Sequence, residues 1–287
     1  MRLIFIHGRA LGGKDPRQMQ REWELTLEKG LGAAGLKLPK GISAVLPFYG
    51  DRLDEFVAEY DMPLVADAVQ KGSGGDSKEA TFRAELLSEI ARGCGIRDED
   101  IQRHYVGDPN EKGPLNWKWV HSILKALDAT PLGSLAIDAF TRDVYVYLAY
   151  SRVREAIDSI VLEELNSEPS VVIGHSLGSV VGYSVLSQVS YTASVQRYVT
   201  VGSPLGLDAI KKRLSTPLRM PAKVQKWFNA SDVRDVVALY PLDAAHFAIK
   251  PGIIKKRDTN NHTSNRHGIA GYLADPTVAQ WIFDGLK

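Results

Sequence analysis

The sequence of 287 residues is poor in cysteine, in net charge and in long apolar runs, and each shortage excludes a class of protein. A single cysteine, Cys94, cannot form an intramolecular disulfide or build a cysteine-rich zinc module. The net charge of +1 gives no overall field that would attract nucleic acid or a membrane surface. A membrane-spanning helix is not expected, since no apolar stretch reaches about 18 residues.

The apolar run nearest the N-terminus, Leu3–Ile6, ends at His7 and Gly8. A secretory signal needs an apolar stretch of roughly 7–15 residues, so this shorter run predicts a buried strand instead. We therefore expect a cytoplasmic protein.

Short apolar, β-branched runs recur along the chain, each followed by a glycine or a polar turn. They are Leu3–Ile6, Ile42–Leu46, Val171–Ile173, Arg197–Val201, Val224–Phe228 and Gly252–Lys256. Helical patterns separate several of them, at Arg17–Leu31, Gly178–Val189, Leu205–Leu214 and Ala274–Leu286. Strands that alternate with helices predict an α/β fold with a parallel sheet covered on both faces.

The segment from Asp51 to about Thr141 interrupts this alternation because it contains no convincing strand. Apolar residues at helical spacing predict helices over Ser77–Arg92 and Trp117–Leu127, and a long helix over Asp143–Leu165. A largely helical block after the second strand is typical of a cap above a sheet-based site.

A serine stands between two glycines in Gly174-His175-Ser176-Leu177-Gly178, after a predicted strand and before a predicted helix. Glycines at these spacings permit a sharp strand-to-helix turn that projects the serine hydroxyl above the sheet. The helix that starts there also directs its positive end at the place where an oxyanion would form. The motif therefore predicts a nucleophilic serine.

With these residues the chain resembles the α/β-hydrolase family, especially its lipase-like and esterase-like serine hydrolases. The resemblance covers Leu3–Gly50 and the chain from Asp143 onward. It implies a mostly parallel central sheet with helices on both faces, lacking the family's first two strands. It also implies a core of residues 1–50 and 141–287, with a largely helical cap or lid insertion over residues 51–140.

The resemblance implies where an oxyanion hole would lie. In the family, one backbone N–H comes from the loop after the first strand of this chain, and a second comes from the residue after the nucleophile. By position these are the N–H groups of Arg9 and Leu177. The Arg9 side chain itself is expected in solvent.

The resemblance places the acid just after the strand Val224–Phe228. Asp235, in Asp-Val-Val-Ala, resembles the D-x-V-P/A pattern of lipase-like enzymes and is the favoured residue. Asp232 is the alternative, although its short carboxylate also suits a local turn in which it accepts backbone N–H groups.

The base is expected on a loop before the last helix. His267 precedes Gly-Ile-Ala-Gly-Tyr-Leu, which resembles the family's catalytic-histidine segment. His262 is the alternative, and His246 is expected to pack or to face solvent. The implied catalytic set is therefore Ser176, Asp235 and His267, without a metal or other cofactor.

The implied function is hydrolysis of a carboxylic ester through an acyl-enzyme, with a small-molecule or lipid-like substrate. The cap favours an apolar acyl or alcohol group. An acyltransferase, thioesterase or amidase would use the same residues, and a non-catalytic binding protein could retain the fold. A nucleotide site at Gly8–Asp15 is disfavoured, because Asp15 replaces the hydroxyl that a phosphate-binding loop uses to hold magnesium.

Overall fold

The computed structural model describes residues 1–9, 12–60, 77–107, 116–188 and 193–287. Within them, six strands form one open sheet in the order β2-β1-β3-β4-β5-β6, and every neighbouring pair is parallel. The strands are β1 Arg2–Ile6, β2 Ser43–Val45, β3 Ser170–His175, β4 Val195–Val201, β5 Val224–Ala230 and β6 Ile254–Lys256. Each of the six predicted strands is confirmed.

The helices of the described residues separate and follow these strands. They are α1 Pro16–Ala33, α2 Gly50–Tyr60, α3 Ser77–Gly93, α4 Asp98–Gln102, α5 Trp117–Leu127, α6 Ser134–Ala149, α7 Ser151–Leu162, α8 Leu177–Leu186, α9 Asp208–Lys211, α10 Ile269–Leu273 and α11 Pro276–Asp284. None of them is long and apolar enough to cross a lipid bilayer.

Both faces of the sheet are buried, which explains why its strands read as continuous apolar runs. Alternate residues of β1 enter different cores because successive side chains of a strand point to opposite faces. Leu3 and Phe5 pack in a core with residues of α1 and α11. Ile4 and Ile6 pack in a second core with α8 and the helices between β2 and β3.

Two predicted helices differ from those observed. The helix expected over Asp143–Leu165 is divided between α6 and α7 at Tyr150, which has an extended backbone (φ −106°, ψ 113°). The Tyr150 ring stacks on Tyr60 of α2 at 4.0 Å between centroids, so a tertiary contact accompanies the break. The helix expected over Leu205–Leu214 is only a 3₁₀ turn at Pro204–Gly206 followed by the single turn of α9.

Between β2 and β3 the described residues form helices α2 to α7 and no strand. The predicted helices over Ser77–Arg92 and Trp117–Leu127 are confirmed as α3 and α5. Residues 61–76 and 108–115 of the proposed insertion lie outside the described residues.

The carboxyl ends of parallel strands meet at one edge of the sheet, and the predicted site residues follow these ends. Ser176 comes directly after β3, and Asp235 follows β5 by five residues. His7 follows β1 and Gly202 follows β4, so four neighbouring strands contribute to this edge.

Candidate active site at the carboxyl edge of the sheet

The turn at Ser176 joins β3 directly to α8. Ser176 has φ 55° and ψ −128°, a conformation that costs free energy for a residue with a side chain. Glycines are required at positions 174 and 178 because atoms of neighbouring segments approach their backbone closely. A Cβ at Gly174 would lie 2.8 Å from Ser179 Cα, and one at Gly178 would lie 2.2 Å from the Ile6 carbonyl oxygen. The sequence therefore allows β1, β3 and α8 to meet tightly beneath the serine.

His267 reaches Ser176 from the loop before α10. Its Nε2 lies 2.9 Å from Ser176 Oγ, within hydrogen-bonding distance. The backbone N–H of His267 donates to Asn265 Oδ1 at 3.1 Å, which fixes the loop locally. Ser176 is 3% exposed and the His267 side chain 12%, so solvent reaches this pair chiefly at the imidazole.

Asp235 contacts the other imidazole nitrogen. Its Oδ2 and Oδ1 lie 2.8 and 3.0 Å from His267 Nδ1, and the residue is completely buried. The Val237 backbone N–H donates to Oδ1 at 2.9 Å, and the Tyr272 hydroxyl lies 2.6 Å from Oδ2. A buried carboxylate needs such donors to remain ionised. The structure thus brings together the favoured serine, histidine and acid of the sequence.

The two alternatives are placed differently. Asp232 Oδ2 accepts from Arg234 Nη2 and from the Asn261 backbone N–H, each at 2.8 Å. Burial opposes ionisation of Asp232, but hydrogen bonds from Arg234 and Asn261 hold its pKa below the usual range. Its contacts organise the loop after β5, as expected for a turn-stabilising carboxylate. His262 is exposed to solvent.

The loop after β1 lies against the nucleophile. A Cβ at Gly8 would come within 2.7 Å of Ser176 Cβ. The predicted N–H donors, Arg9 and Leu177, are the residues that follow Gly8 and Ser176 in the chain. Ala10, the next residue of the loop, lies outside the described residues. The role of the Arg9 and Leu177 N–H groups as oxyanion donors stays a prediction.

Arg9 is exposed, as expected from the sequence, and its side chain also forms an ion pair that the sequence did not indicate. Its Nε lies 2.8 Å from Oδ2 of Asp143, a residue of α6 that is 2% exposed. Burial raises the pKa of Asp143 to about 6, although the charges of Arg9 and Arg142 oppose the rise. The sequence offered no local signal for this pair because the partners are 134 positions apart in the chain.

The glycine-rich loop before α1 is bound by carboxylates. The N–H groups of Gly12 and Gly13 donate to Asp54 Oδ2 at 2.5 Å and Asp51 Oδ1 at 2.8 Å. Asp15 accepts the Arg17 backbone N–H at the start of α1. A phosphate would need these N–H groups and would be repelled by the acidic side chains, so this geometry opposes a nucleotide site.

Two histidines near the site, the buried His7 and the half-buried His175, have contacts that were not predicted. His175 Nε2 lies 2.8 Å from the His267 carbonyl oxygen, and its pKa is lowered to about 3, chiefly by burial. The ring is therefore neutral and donates this hydrogen bond. His7 accepts the Tyr49 backbone N–H at Nε2, and burial lowers its pKa to about 4. The other ring nitrogen of His7, Nδ1, donates to the neighbouring Gly8 carbonyl oxygen at 2.7 Å. The partners His267 and Tyr49 are distant in sequence from these two histidines.

The described residues contain no group of three or more histidine, cysteine, aspartate or glutamate side chains that could hold a metal ion. Comparisons of the chain with models of protein families, with curated proteins and with solved structures give no match.

Proposed function

We propose that the chain is a serine hydrolase that cleaves a carboxylic ester through Ser176, His267 and Asp235. One observation carries the proposal: a single imidazole has Nε2 at 2.9 Å from Ser176 Oγ and Nδ1 at 2.8 Å from a buried carboxylate. A serine hydroxyl is a poor nucleophile at neutral pH unless a base takes its proton. This arrangement supports such a transfer.

In the proposed reaction, His267 Nε2 takes the Ser176 proton as Oγ bonds to the ester carbonyl carbon. The carbonyl electron pair moves to oxygen, where the backbone N–H groups of Arg9 and Leu177 would stabilise it. When the intermediate collapses, the bond to the alkoxy oxygen breaks and Nε2 returns the proton to the departing alcohol. Water then attacks the acyl-enzyme as His267 Nε2 takes its proton. The bond to Ser176 Oγ breaks, Nε2 returns the proton to Oγ, and the carboxylic acid is released. Asp235 holds the imidazole tautomer throughout.

We further propose that the fold is of the α/β-hydrolase type, with residues 51–140 as a helical cap. The parallel sheet, the turn at Ser176 and the chain order serine, aspartate, histidine support this classification. A preference for an apolar acyl or alcohol group is part of the proposal, which the assay of varied esters tests.

Hydrolysis of esters that vary in acyl chain length tests the proposal. We expect turnover by the wild type, a preference for apolar esters, and loss of activity in Ser176→Ala with unchanged circular dichroism. Absence of turnover on every ester, or full activity in the variant, would contradict it. Partition of the acyl group to an added alcohol or amine, measured in the same assay, separates hydrolysis from acyl transfer.

A further inference from the structure

The Tyr272 hydroxyl lies between the two aspartates that follow β5. Tyr272 is completely buried on α10, and its hydroxyl is 2.6 Å from Asp235 Oδ2. The tyrosine hydroxyl oxygen also accepts the Asp232 backbone N–H at 3.2 Å. Burial and the nearby charge of Asp235 raise the pKa of Tyr272 well above its usual range. The hydroxyl therefore keeps its proton and donates a hydrogen bond to Asp235 Oδ2.

Three side chains of this cluster pack on one glycine at the end of β4. A Cβ at Gly202 would lie 3.1 Å from Asp235 Oδ2, 3.1 Å from Tyr272 Cε2 and 3.2 Å from His267 Cε1. Gly202 also has φ +57°, which favours glycine. Because all three side chains rest on the same backbone, a shift of one is transmitted to the others.

The tyrosine completes the set of donors around the carboxylate. Val237 N–H binds Oδ1 at 2.9 Å, and the imidazole Nδ1 of His267 contacts both oxygens. Of the Val237 N–H, the His267 imidazole and the Tyr272 hydroxyl, only the imidazole and the hydroxyl contact Oδ2. Without the hydroxyl, Oδ2 would keep the imidazole alone of these three. A carboxylate with fewer donors rotates more freely. Its negative charge is also less dispersed, so it stabilises a positive charge on the neighbouring imidazole more strongly.

We propose that Tyr272 is a positioning residue of the hydrolytic site: its hydroxyl fixes the rotation of the Asp235 carboxylate and disperses part of its charge. His267 is thereby held with Nε2 toward Ser176. The inference rests on the proposed function and adds a residue that acts through Asp235.

Two ionisable groups beside this cluster, His175 and Asp232, do not change charge near neutral pH. His175 lies beside His267 with ring centroids 4.8 Å apart and ring planes tilted by 34°, and it is neutral because burial lowers its pKa to about 3. Asp232, behind Tyr272, is ionised and paired with Arg234 at 2.8 Å. Asp143, whose pKa is raised to about 6, is paired with Arg9 and is the same in the wild type and the variant. A change in the pH profile on removal of the Tyr272 hydroxyl therefore reports on the Asp235–His267 pair.

The test is Tyr272→Phe in the full chain, assayed on the ester that the wild type cleaves best. We expect kcat to fall about tenfold with KM unchanged, because the variant loses one hydrogen bond to a charged group. The acid limb of the kcat/KM profile should move to higher pH, because a carboxylate with more concentrated charge stabilises the imidazolium.

Tyr147→Phe is a matched control. Tyr147 is also buried and lies 2.7 Å from a buried carboxylate, Asp158, which is hydrogen-bonded to Ser184 of α8. We expect wild-type kcat and an unshifted acid limb in this variant. Equal losses in both variants, or an unshifted limb in Tyr272→Phe, would overturn the inference.

Replacement of Tyr272 by 3-fluorotyrosine covers the case in which the phenylalanine variant does not fold. Its hydroxyl is a stronger acid and hence a stronger donor, so the acid limb should move to lower pH. An unchanged limb or a move to higher pH would contradict the role. A wild type that cleaves no ester would instead contradict the proposed function, so the two failures are distinguishable.

Discussion

Two regions of the molecule contain the same buried pair, an aspartate in contact with a tyrosine hydroxyl, in different surroundings. At the carboxyl edge of the sheet, Asp235 is 0% exposed and lies 2.6 Å from the Tyr272 hydroxyl. Beside α8, Asp158 is 4% exposed and lies 2.7 Å from the Tyr147 hydroxyl. Burial and the tyrosine contact alone therefore do not distinguish a candidate catalytic acid from a structural one.

The difference lies in the remaining donors. Asp158 accepts from Ser184 at 3.0 Å and Gln188 at 3.1 Å, side chains that do not titrate, and so connects α6, α7 and α8. Asp235 contacts an imidazole whose second nitrogen lies 2.9 Å from Ser176. A buried carboxylate thus orients a base in one region and joins helices in the other.

The largest effect is expected for Asp235→Asn. An asparagine cannot hold the imidazole in the tautomer that accepts the serine proton, so kcat should fall by about 10⁴-fold. Asp158→Asn should leave kcat within a few-fold of the wild type. Steady-state ester hydrolysis by both variants checks this, and comparable losses in the two would abolish the distinction between the regions.

Acid should destabilise the edge of the sheet around Asp235. His7 and His175 have folded-state pKa values lowered to about 4 and about 3, against about 6.5 when unfolded. Their contribution to stability is present above pH 6.5 and is lost as the pH falls toward these lower values. Urea unfolding should therefore give a free energy that drops by a few kcal/mol between pH 6.5 and 4.

Asp143 acts in the opposite sense, because its folded-state pKa is raised to about 6 and its protonation restores stability as the pH falls below that value. The variants His7→Gln and Asp143→Asn separate the two contributions. The first should flatten the decline of stability with acid and the second should steepen it. A wild-type stability that is constant over this range would contradict the assignment of neutral buried histidines.

A smaller effect on stability is expected for Asp158→Ala. The change leaves the Tyr147, Ser184 and Gln188 donors without their acceptor, and we expect the free energy of unfolding to decrease by about 1–3 kcal/mol. Urea unfolding at neutral pH measures it. An unchanged midpoint would show that this carboxylate does not join the helices energetically.

The smallest effect on activity is expected for Asp232→Asn. The side chain organises the loop through Arg234 and Asn261, while the Asp232 contact to Tyr272 uses the backbone N–H, which the variant retains. We expect kcat within about threefold of the wild type. A loss as large as that of Asp235→Asn would make Asp232 the better candidate for the acid.

The features that the sequence predicted depend on local pattern. The six strands follow from short apolar runs bounded by turns, and the turn at Ser176 follows from Gly174 and Gly178. The contact of Ser176, His267 and Asp235 agrees with the resemblance, which supplied the chain order. Ser176 directly follows β3, Asp235 follows β5 by five residues and His267 precedes α10 by two, so each lies close in sequence to a strand or a helix.

The features that were missed depend on contacts between distant parts of the chain. Tyr272 stands in the segment that identified His267, but nothing nearby indicates that its hydroxyl meets Asp235, 37 residues earlier. Gly202 was missed for the same reason, because the need for a glycine there comes from side chains of other elements. The break at Tyr150 was also missed, because helical periodicity continues through it.

Labelling with a fluorophosphonate, mapped by peptide mass spectrometry, tests the central claim most directly. We predict one covalent adduct on Ser176 in the wild type, no adduct in Ser176→Ala, and much slower labelling in His267→Ala. Absence of any adduct on the folded wild type, or equal labelling of Ser176→Ala, would contradict the account of Ser176 as an activated nucleophile.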